Sequence, residues 1–368
     1  MNAGEPNSYL GSGSNGLAGF RPADSGSFSR DNIAVYADLE HDLSADFLMQ
    51  YALRFEDFSD FGDTLNAKVA ARYTVSDSFT LRGAVSTGFH APTPGQANVR
   101  TTITTFDGAT GLQVEEGLVP PTSPLAVLAG GAPLSEEKSV NFSLGFAADL
   151  GERSNVTVDV YRIDVEDRIY RTGDIQPTGP AGPTISFYTN ALDIESSGVD
   201  VVFTSSADWG DDLTTDFTLA LNYNQIEVVG QSPVGGVNPV SAATIEDIEN
   251  NYPDLRFVAT ADTQLSERWN FLVRANYYGS HYDERGTIGA ATSPSAEIES
   301  TVYVDMEVGF DINERARIVA GASNIFDTYI DEIGPPNANR LSVGLQYPRR
   351  TAANYEGGSW YLRSTFRF

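Results

Sequence analysis

The sequence predicts an all-β protein, an antiparallel transmembrane β-barrel, and two patterns carry this prediction. Apolar and polar residues alternate over many short segments, and alternating residues point to opposite faces of a strand. The connections between these segments alternate between short polar turns and mostly long loops. A membrane strand needs an apolar face toward lipid and tolerates a polar face toward a watery lumen.

The last segment, 360–368, shows the alternation most clearly. One face would carry Trp360, Leu362, Ser364, Phe366 and Phe368, and the other Tyr361, Arg363, Thr365 and Arg367. Lipid on one side and water on the other explain this pattern, and a soluble strand has no reason to end on such an aromatic face.

About thirteen segments alternate in this way, each near the roughly 10 residues that a tilted membrane strand needs. No apolar run approaches the ~18 residues of a membrane helix, so a membrane protein of this sequence has to be a barrel. The expected strands are 30–40, 45–56, 64–75, 78–89, 137–150, 154–164, 195–207, 212–226, 253–264, 268–279, 300–311, 315–324 and 358–368.

Segment 154–164 is the least regular of these strands. Arg162 falls on the face that carries Val156, Val158 and Val160. A β-bulge, or a position at the membrane interface, would account for a charged residue on an otherwise apolar face.

The turns and loops predict the direction of each strand. Short turns are expected at 41–44, 76–77, 151–153, 209–211, 266–267 and 313–314, and loops at 57–63, 90–136, 165–194, 227–252, 280–299 and 325–357. Outer-membrane barrels keep their short turns in the periplasm, so the first and thirteenth strands both run toward the periplasm, where the C-terminus lies. Residues 1–29 are expected to form an extracellular loop.

An odd number of strands cannot close a bacterial antiparallel barrel, which has an even count. We therefore expect further strands outside this sequence. The first residues, MNAGEP, also lack the basic start and apolar core of a signal peptide, although an exported barrel needs one.

Aromatic residues recur near both ends of the predicted strands, as the interfacial girdles of a membrane barrel require. Those beside short turns are Phe47, Phe79, Trp269, Phe310 and Phe368, and those beside loops are Phe55, Phe89, Tyr223, Phe257, Tyr277 and Phe326.

Composition excludes several classes of function. The apolar share of 41% is too high for a disordered chain, and the absence of cysteine excludes disulfides and thiol chemistry. A net charge of -27 argues against nucleic acid binding, which needs clustered Lys and Arg.

Several phrases resemble one family, the TonB-dependent outer-membrane receptors, and they occur in the family's order from about residue 30 to the end. They are VYADLE (35–40), LRFEDFSDFG (53–62), LRGAVSTGFHAP (81–92), VDVYRIDVEDRI (158–169), ESSGVD (195–200), ASNIFD (322–327) and the terminal Phe368. His90 departs from the family, which usually has Arg in this Gly-Phe-Arg-Ala-Pro phrase.

The resemblance implies a barrel of about 22 strands with an N-terminal plug. Residues 1–368 would be the C-terminal portion of that barrel domain, about thirteen strands, with the plug and early strands absent. The implied function is energy-coupled uptake of a nutrient, such as an iron-siderophore, a carbohydrate or cobalamin, by a monomer in the outer membrane of a Gram-negative bacterium. The implied partners are lipid, lipopolysaccharide, the TonB complex through the plug, and the barrel-assembly machinery, for which Phe366 and Phe368 form the C-terminal signal.

The ligand would bind to the loops and the upper wall. Aromatic residues beside polar groups suit such ligands, and our candidates for ligand contact are Phe106, Tyr188, Tyr252, His281, Tyr282, Tyr347, Arg82 and Arg274. No metal site and no cofactor is expected, since the neighbours of His281 would point to opposite faces of a strand end. The other lumen-facing charges have mixed signs and are expected to pair with one another.

Two alternatives stay open. A passive porin or specific diffusion channel would share the wall, although it needs an even number of strands. An outer-membrane enzyme is less favoured, because only His90 and His281 are placed to serve a Ser-His-acid site and no Gly-x-Ser-x-Gly phrase accompanies them.

Overall fold

The computed structural model describes residues 24–106, 113–179, 183–210, 213–283, 286–291, 294–332, 346–348, 351 and 355–367. Phe368, one of the two residues of the predicted assembly signal, and most of the predicted loop 1–29 lie outside this part. The described residues form mostly strands, with three short helices. None of these helices is long and apolar enough to cross a membrane.

Eighteen strands and three helices follow one another along the described chain. The strands are β1 (Asn32–Ser44), β2 (Phe47–Phe58), β3 (Gly62–Ser76), β4 (Phe79–His90), β5 (Thr101–Phe106), β6 (Gln113–Leu118), β7 (Glu137–Asp149), β8 (Ser154–Arg171), β9 (Thr184–Ser186), β10 (Tyr188–Gly210), β11 (Leu213–Gln231), β12 (Leu255–Gln264), β13 (Trp269–Tyr278), β14 (His281–Tyr282), β15 (Glu297–Ile298), β16 (Thr301–Asn313), β17 (Ala316–Ser323) and β18 (Ser359–Phe366). The helices are α1 (Pro94–Asn98), α2 (Pro124–Leu128) and α3 (Ala242–Asn250).

One antiparallel sheet of 13 strands contains β1–β4, β7, β8, β10–β13 and β16–β18, in chain order. Each of these strands overlaps one of the thirteen predicted segments, so the predicted fold class is confirmed. Short turns join alternate strands at one end of the sheet, called the turn end below. The longer connections meet at the other end, called the loop end. Two small sheets, β5-β6-β9 and β14-β15, lie within the long connections.

Three strands extend at least five residues past their predicted ends at the loop end. β8, β10 and β11 have 18, 23 and 19 residues and continue into segments that were expected to be loops. The alternation fades in these extensions, because a strand that leaves the membrane no longer needs one apolar face. The register of β10 with its neighbours shifts near Leu192, and Asp167 has a positive φ of 57°.

Arg162 lies in an unbroken part of the sheet. Its Cα partners are Phe142 on β7 and Ser197 on β10, and the register shifts of β10 lie before Ser197, near Leu192. The Arg162 guanidinium pairs with Asp164 at 2.9 Å and with Glu195 at 2.7 Å. The charge is therefore balanced where the apolar face gives way to polar residues, and no bulge is needed at this position.

The two faces of the sheet differ as the alternation predicts. On the apolar face the side chains of Trp360 and Leu362 are 85% and 68% exposed, as expected of groups that would contact lipid. Aromatic rings pair across strands on this face near the turn end, with Trp269 4.6 Å from Phe310 between centroids and Phe79 5.6 Å from Phe146. These pairs lie where an interfacial girdle is expected.

On the polar face, long side chains reach across an intervening strand at glycine positions. Arg82 is opposite Gly145 on β7, and Gly145 is opposite Asp159 on β8. The Arg82 guanidinium donates two hydrogen bonds to the Asp159 carboxylate, with Nε 2.8 Å from Oδ1. A Cβ on Gly145 would collide with the Asp159 carboxylate.

The same arrangement recurs twice more on this face. Tyr161 crosses Gly198, and its hydroxyl donates to Asn224 Oδ1 at 3.0 Å. Tyr361 crosses Gly321, and its hydroxyl donates to Glu307. Each crossing spans two strand spacings, roughly 9.5 Å, and satisfies polar groups without a side chain from the middle strand.

We expect Gly145→Ala to destabilise the folded chain by about 1–3 kcal/mol, because the new methyl group displaces the Asp159 carboxylate from Arg82. Thermal unfolding in detergent, followed by the loss of the compact band on a gel, measures this change. Gly95→Ala in α1 is the matched control, since its Cβ would make only an ordinary contact at 3.7 Å. Equal melting of the two variants would contradict the role of the crossing.

Candidate functional site

The loop end carries most of the buried residues of the described chain. Three apolar clusters lie there, beyond the part of the sheet that has one apolar and one polar face. We call this region the loop layer. The first cluster contains Val119, Ala126, Ala129, Ile185, Phe187 and Val234, the second Ala191, Leu192, Ile194 and Val240, and the third Ile298, Tyr303 and Ile330. The loop layer is therefore packed like a small domain.

Capping residues start each helix of this layer. Thr93 and Gln96 form a capping box at α1, and Ser123 accepts a hydrogen bond from the Ala126 amide at α2. The Ser241 hydroxyl caps α3 by accepting from the Thr244 amide at 3.2 Å. Such caps contribute about 1 kcal/mol each, which is a large share of the stability of a short helix.

Helix α3 joins two parts of the loop layer. Ile245 and Ile248 pack against the second cluster, at the extended ends of β10 and β11. Glu249 Oε1 accepts from the Val228 amide on β11 at 2.8 Å. Glu246 Oε2 accepts from the Ile288 amide at 3.0 Å, which ties the helix to the connection between β13 and β16.

A pocket of about 570 Å³ lies where the segment before α3 passes the end of β8. Basic and aromatic residues of β8 and β10 contribute to its wall, together with the N-terminus of α3. The lining includes Arg168, Tyr170, Arg171, Asp174, Tyr188, Val240, Ser241 and Thr244. We call it the arginine pocket.

The charges of the arginine pocket favour an anion. Arg168 has no ion pair among the residues that the structure describes. Arg171 Nε donates to the Ser186 hydroxyl at 2.9 Å, so its charge is not neutralised by that contact. Asp174 is the single carboxylate in the described lining. The N-terminus of α3 adds a partial positive charge.

The residues predicted to contact a ligand fall into two groups, those in loops and the two arginines of the wall. The loop residues lie within the loop layer. Tyr188 lines the arginine pocket, and Tyr252, which follows α3, is 65% exposed. Phe106 ends β5, and its side chain lies outside the described part. Tyr282 lies on β14, and Tyr347 packs against the third cluster.

The predicted arginines lie apart from these residues, on the polar face of the wall. Arg82 is held by Asp159, and Arg274 Nε donates to the Thr260 hydroxyl at 3.3 Å. Arg274 makes no carboxylate contact among the described residues, although mixed charges on this face were expected to pair. Arg168 and Arg171 were not among the predicted contact residues. Segment 165–194 was predicted to be a loop, and a loop gives no prediction of side-chain direction.

His281 is buried and braces two connections of the loop layer. Its side chain is 3% exposed, with Nδ1 3.2 Å from the Gly279 carbonyl oxygen and Nε2 3.4 Å from the Thr351 hydroxyl. Burial lowers the pKa of His281, and the Gly279 contact opposes that shift. No group of three His, Cys, Asp or Glu residues in the described part is arranged to hold a metal ion.

A family model described as TonB dependent receptor-like, beta-barrel matches residues 2–325. The chain belongs to this family. The resemblance found in the phrases of the sequence is thereby confirmed. This receptor-family chain is 24% identical over 343 residues to the ferric enterobactin receptor PirA of Pseudomonas aeruginosa, a match that covers 91% of this chain and 41% of that protein.

Another relative is the iron-regulated outer membrane virulence protein of Vibrio cholerae, which is 22% identical over 303 residues. That match covers 81% of this receptor-family chain and 41% of the relative. The chain thus spans about 41% of the length of both curated relatives.

Solved structures of this family share the fold. The ferric enterobactin receptor PfeA of Pseudomonas aeruginosa matches 100% of this chain and 48% of its own, with a TM-score of 0.69 and 16% identity. The siderophore receptor PirA of Acinetobacter baumannii matches 92% of this chain and 46% of its own, with a TM-score of 0.63 and 16% identity. At this identity the similarity shows the fold alone.

We expect acid to loosen the packing around His281. Its pKa is lowered in the folded chain, so the stabilisation is complete above the unfolded value of about 6.5 and falls as the pH drops toward the folded pKa. Hydrogen exchange of residues 279–283, corrected for the intrinsic rate, should show less protection at pH 5.5 than at pH 7.5. His281→Gln should remove most of this pH dependence. If the variant kept the same pH dependence as the wild type, titration of His281 would not be its cause.

Proposed function

We propose that this chain forms part of a TonB-dependent outer-membrane receptor that imports an iron-siderophore. The observation that carries the proposal is the arginine pocket in the loop layer. The names of two relatives, a ferric enterobactin receptor and an iron-regulated outer membrane protein, agree with a ferric ligand.

The chemistry of a ferric chelate suits the arginine pocket. Iron(III) prefers hard, deprotonated oxygen ligands, and chelators that supply enough of them give complexes with negative charge. Guanidinium groups form strong, directional hydrogen bonds to such oxygen atoms. Tyr170 and Tyr188 add aromatic surface for the organic part of the chelator.

In this proposal the apolar face of the sheet contacts lipid and the polar face lines the lumen. The loop end is extracellular and the turn end is periplasmic, which puts the C-terminus in the periplasm. Phe366 and Phe368 serve as the signal for barrel assembly. The chain supplies thirteen strands of a barrel of about 22, and a plug coupled to the TonB complex drives transport.

Binding requires no bond-making step by the protein. The side chains of the arginine pocket orient and retain the chelate, and uptake follows from a rearrangement within the receptor. A passive channel is the second candidate, and it predicts that uptake continues without the TonB complex. Uptake of radioactive iron as the chelate, in cells with and without TonB, distinguishes the two functions.

We expect the double variant Arg168→Ala and Arg171→Ala to bind an anionic ferric chelate at least about 10-fold more weakly, since each charge-assisted hydrogen bond contributes about 1.5–3 kcal/mol. Quenching of tyrosine and tryptophan fluorescence by ferric enterobactin, in detergent, measures the dissociation constant.

Arg153→Ala is the matched control, because Arg153 pairs with Asp208 near the turn end. It should leave the dissociation constant unchanged. Wild-type affinity in the double variant would exclude the arginine pocket as the binding site.

A further inference from the structure

The pairing of β8 with β10 is interrupted at one point in the loop layer. It is regular up to Val165 and regular again from Ile169, with the same offset on both sides. Between these parts β8 first has one extra residue and β10 then has one, so the two irregularities cancel. Within the described pairing of these strands, Arg168 alone is out of register, opposite Leu192 instead of Ala191. The interruption therefore displaces Arg168 locally and leaves the rest of the two strands in register.

The residue before Arg168 makes a turn in the strand. Asp167 has a φ of 57°, in the left-handed region that side chains other than glycine seldom adopt and that aspartate tolerates better than most. Residues three positions apart on a regular strand point to opposite faces. Arg168 and Arg171 nevertheless line the same pocket. The turn at Asp167 therefore brings both guanidinium groups to one cavity.

Side chains of neighbouring strands hold the backbone of this turn. The Asp193 carboxylate of β10 accepts a hydrogen bond from the Asp167 amide, with Oδ1 3.1 Å from the nitrogen. Asn190 Nδ2 donates to the Asp167 carbonyl oxygen at 2.8 Å. Glu137 Oε1, on β7, accepts from the Ile169 amide at 3.0 Å. Backbone groups that leave the strand ladder need other partners, and these three side chains supply them.

Two of the three side chains are themselves fixed by further contacts. Asn190 Oδ1 accepts from the Ser135 amide at 3.0 Å, and its Nδ2 donates to the Ser135 carbonyl oxygen at 3.0 Å. Glu137 is 15% exposed, and its Oε1 lies 3.6 Å from His90 Nδ1. The turn is therefore attached to the connection before β7 and to the end of β4.

The third side chain, Asp193, depends on a facing glycine. Asp193 is paired with Gly230 on β11. A Cβ on Gly230 would lie 2.8 Å from Asp193 Oδ2, which is closer than such atoms approach in real structures. Gly230→Ala would therefore push the carboxylate away from the Asp167 amide. In the described part of the chain, neither Asp193 nor Gly230 lines the arginine pocket.

We propose that Asp193 is a positioning residue of the arginine pocket. It holds the turn at Asp167 so that Arg168 and Arg171 converge on one anion. Two convergent guanidinium groups can share the oxygen atoms of a single multiply charged chelate. Because the turn is formed before the ligand arrives, less conformational entropy is lost on binding. The inference rests on the proposed function, since it concerns the same pocket and the same class of ligand.

The charge of Asp193 separates positioning from a simple electrostatic effect. A negative charge beside the turn that carries Arg168 opposes the binding of an anion, so its removal alone would strengthen binding. Loss of the turn has the opposite effect, because Arg168 is then no longer directed into the pocket. A lower affinity in Asp193→Ala therefore indicates positioning.

The experiment compares Asp193→Ala, Asp193→Asn and Gly230→Ala, each with and without Arg168→Ala. Quenching of intrinsic fluorescence by ferric enterobactin, in detergent, gives the dissociation constants. We expect Asp193→Ala and Gly230→Ala to bind about 10-fold more weakly than the wild type, since a charge-assisted hydrogen bond from Arg168 is lost. In the Arg168→Ala background, Asp193→Ala should cause no further loss, because the side chain that it positions is already absent.

Two variants serve as controls. Asp193→Asn keeps an oxygen acceptor for the Asp167 amide and removes the negative charge, so it should bind at least as tightly as the wild type. Gly95→Ala in α1 adds a methyl group that makes only an ordinary contact at 3.7 Å, and its affinity should be unchanged.

Wild-type affinity in Asp193→Ala and Gly230→Ala, beside a weakened Arg168→Ala, would overturn the inference and leave the proposed function intact. The inference would also be overturned if Asp193→Asn lost as much affinity as Asp193→Ala. An equal loss from Asp193→Ala with and without Arg168 would overturn it as well, since the effect would then be a general loss of structure. If Arg168→Ala bound as the wild type does, or if the wild type did not bind the probe, the arginine pocket and the inference would both be excluded.

Discussion

The structure depends on backbone hydrogen bonding between neighbouring antiparallel strands. A strand in lipid has no water to satisfy its amide and carbonyl groups, so every such group needs a partner on the next strand. The 13-stranded sheet provides these partners in chain order. Because side chains alternate along each strand, the same hydrogen bonding fixes which residues face lipid and which do not.

This constraint also shapes the polar face. Charged side chains on a wall must find partners, yet direct neighbours on adjacent strands often have the wrong chemistry. Glycine on the middle strand lets Arg82 reach Asp159, and it lets Tyr361 reach Glu307. Residues two strands apart are thereby linked, and a single methyl group on Gly145 is enough to interfere.

Much of the fold follows from the sequence, because lipid imposes a strict two-residue period. That period predicts all thirteen strands of the large sheet. It fails where lipid no longer acts, as in the extensions of β8 and β10, where polar residues occur on both faces. The arginine pocket was missed for this reason. Arg168 follows a register shift, and no local sequence pattern predicts that shift. The stacking of Tyr329, Tyr347 and Tyr355 was missed because these residues are 18 and 8 positions apart, a spacing that no strand or helix period predicts.

The extended strands also determine how far the arginine pocket stands from the apolar belt. Val199 is the last apolar residue on the lipid-facing side of β10 before the polar Ser197. Toward the loop end, Leu192, the partner of Arg168, lies seven positions from Val199, and Tyr188, the partner of Arg171, lies eleven positions from it. At about 3.3 Å per residue these separations are roughly 23 Å and 35 Å along the strand. The Debye length at physiological ionic strength is about 8 Å, so phosphate groups at the edge of the belt are screened from Arg168 and Arg171. In the proposed orientation, the two guanidinium groups are therefore left available to an anionic ligand.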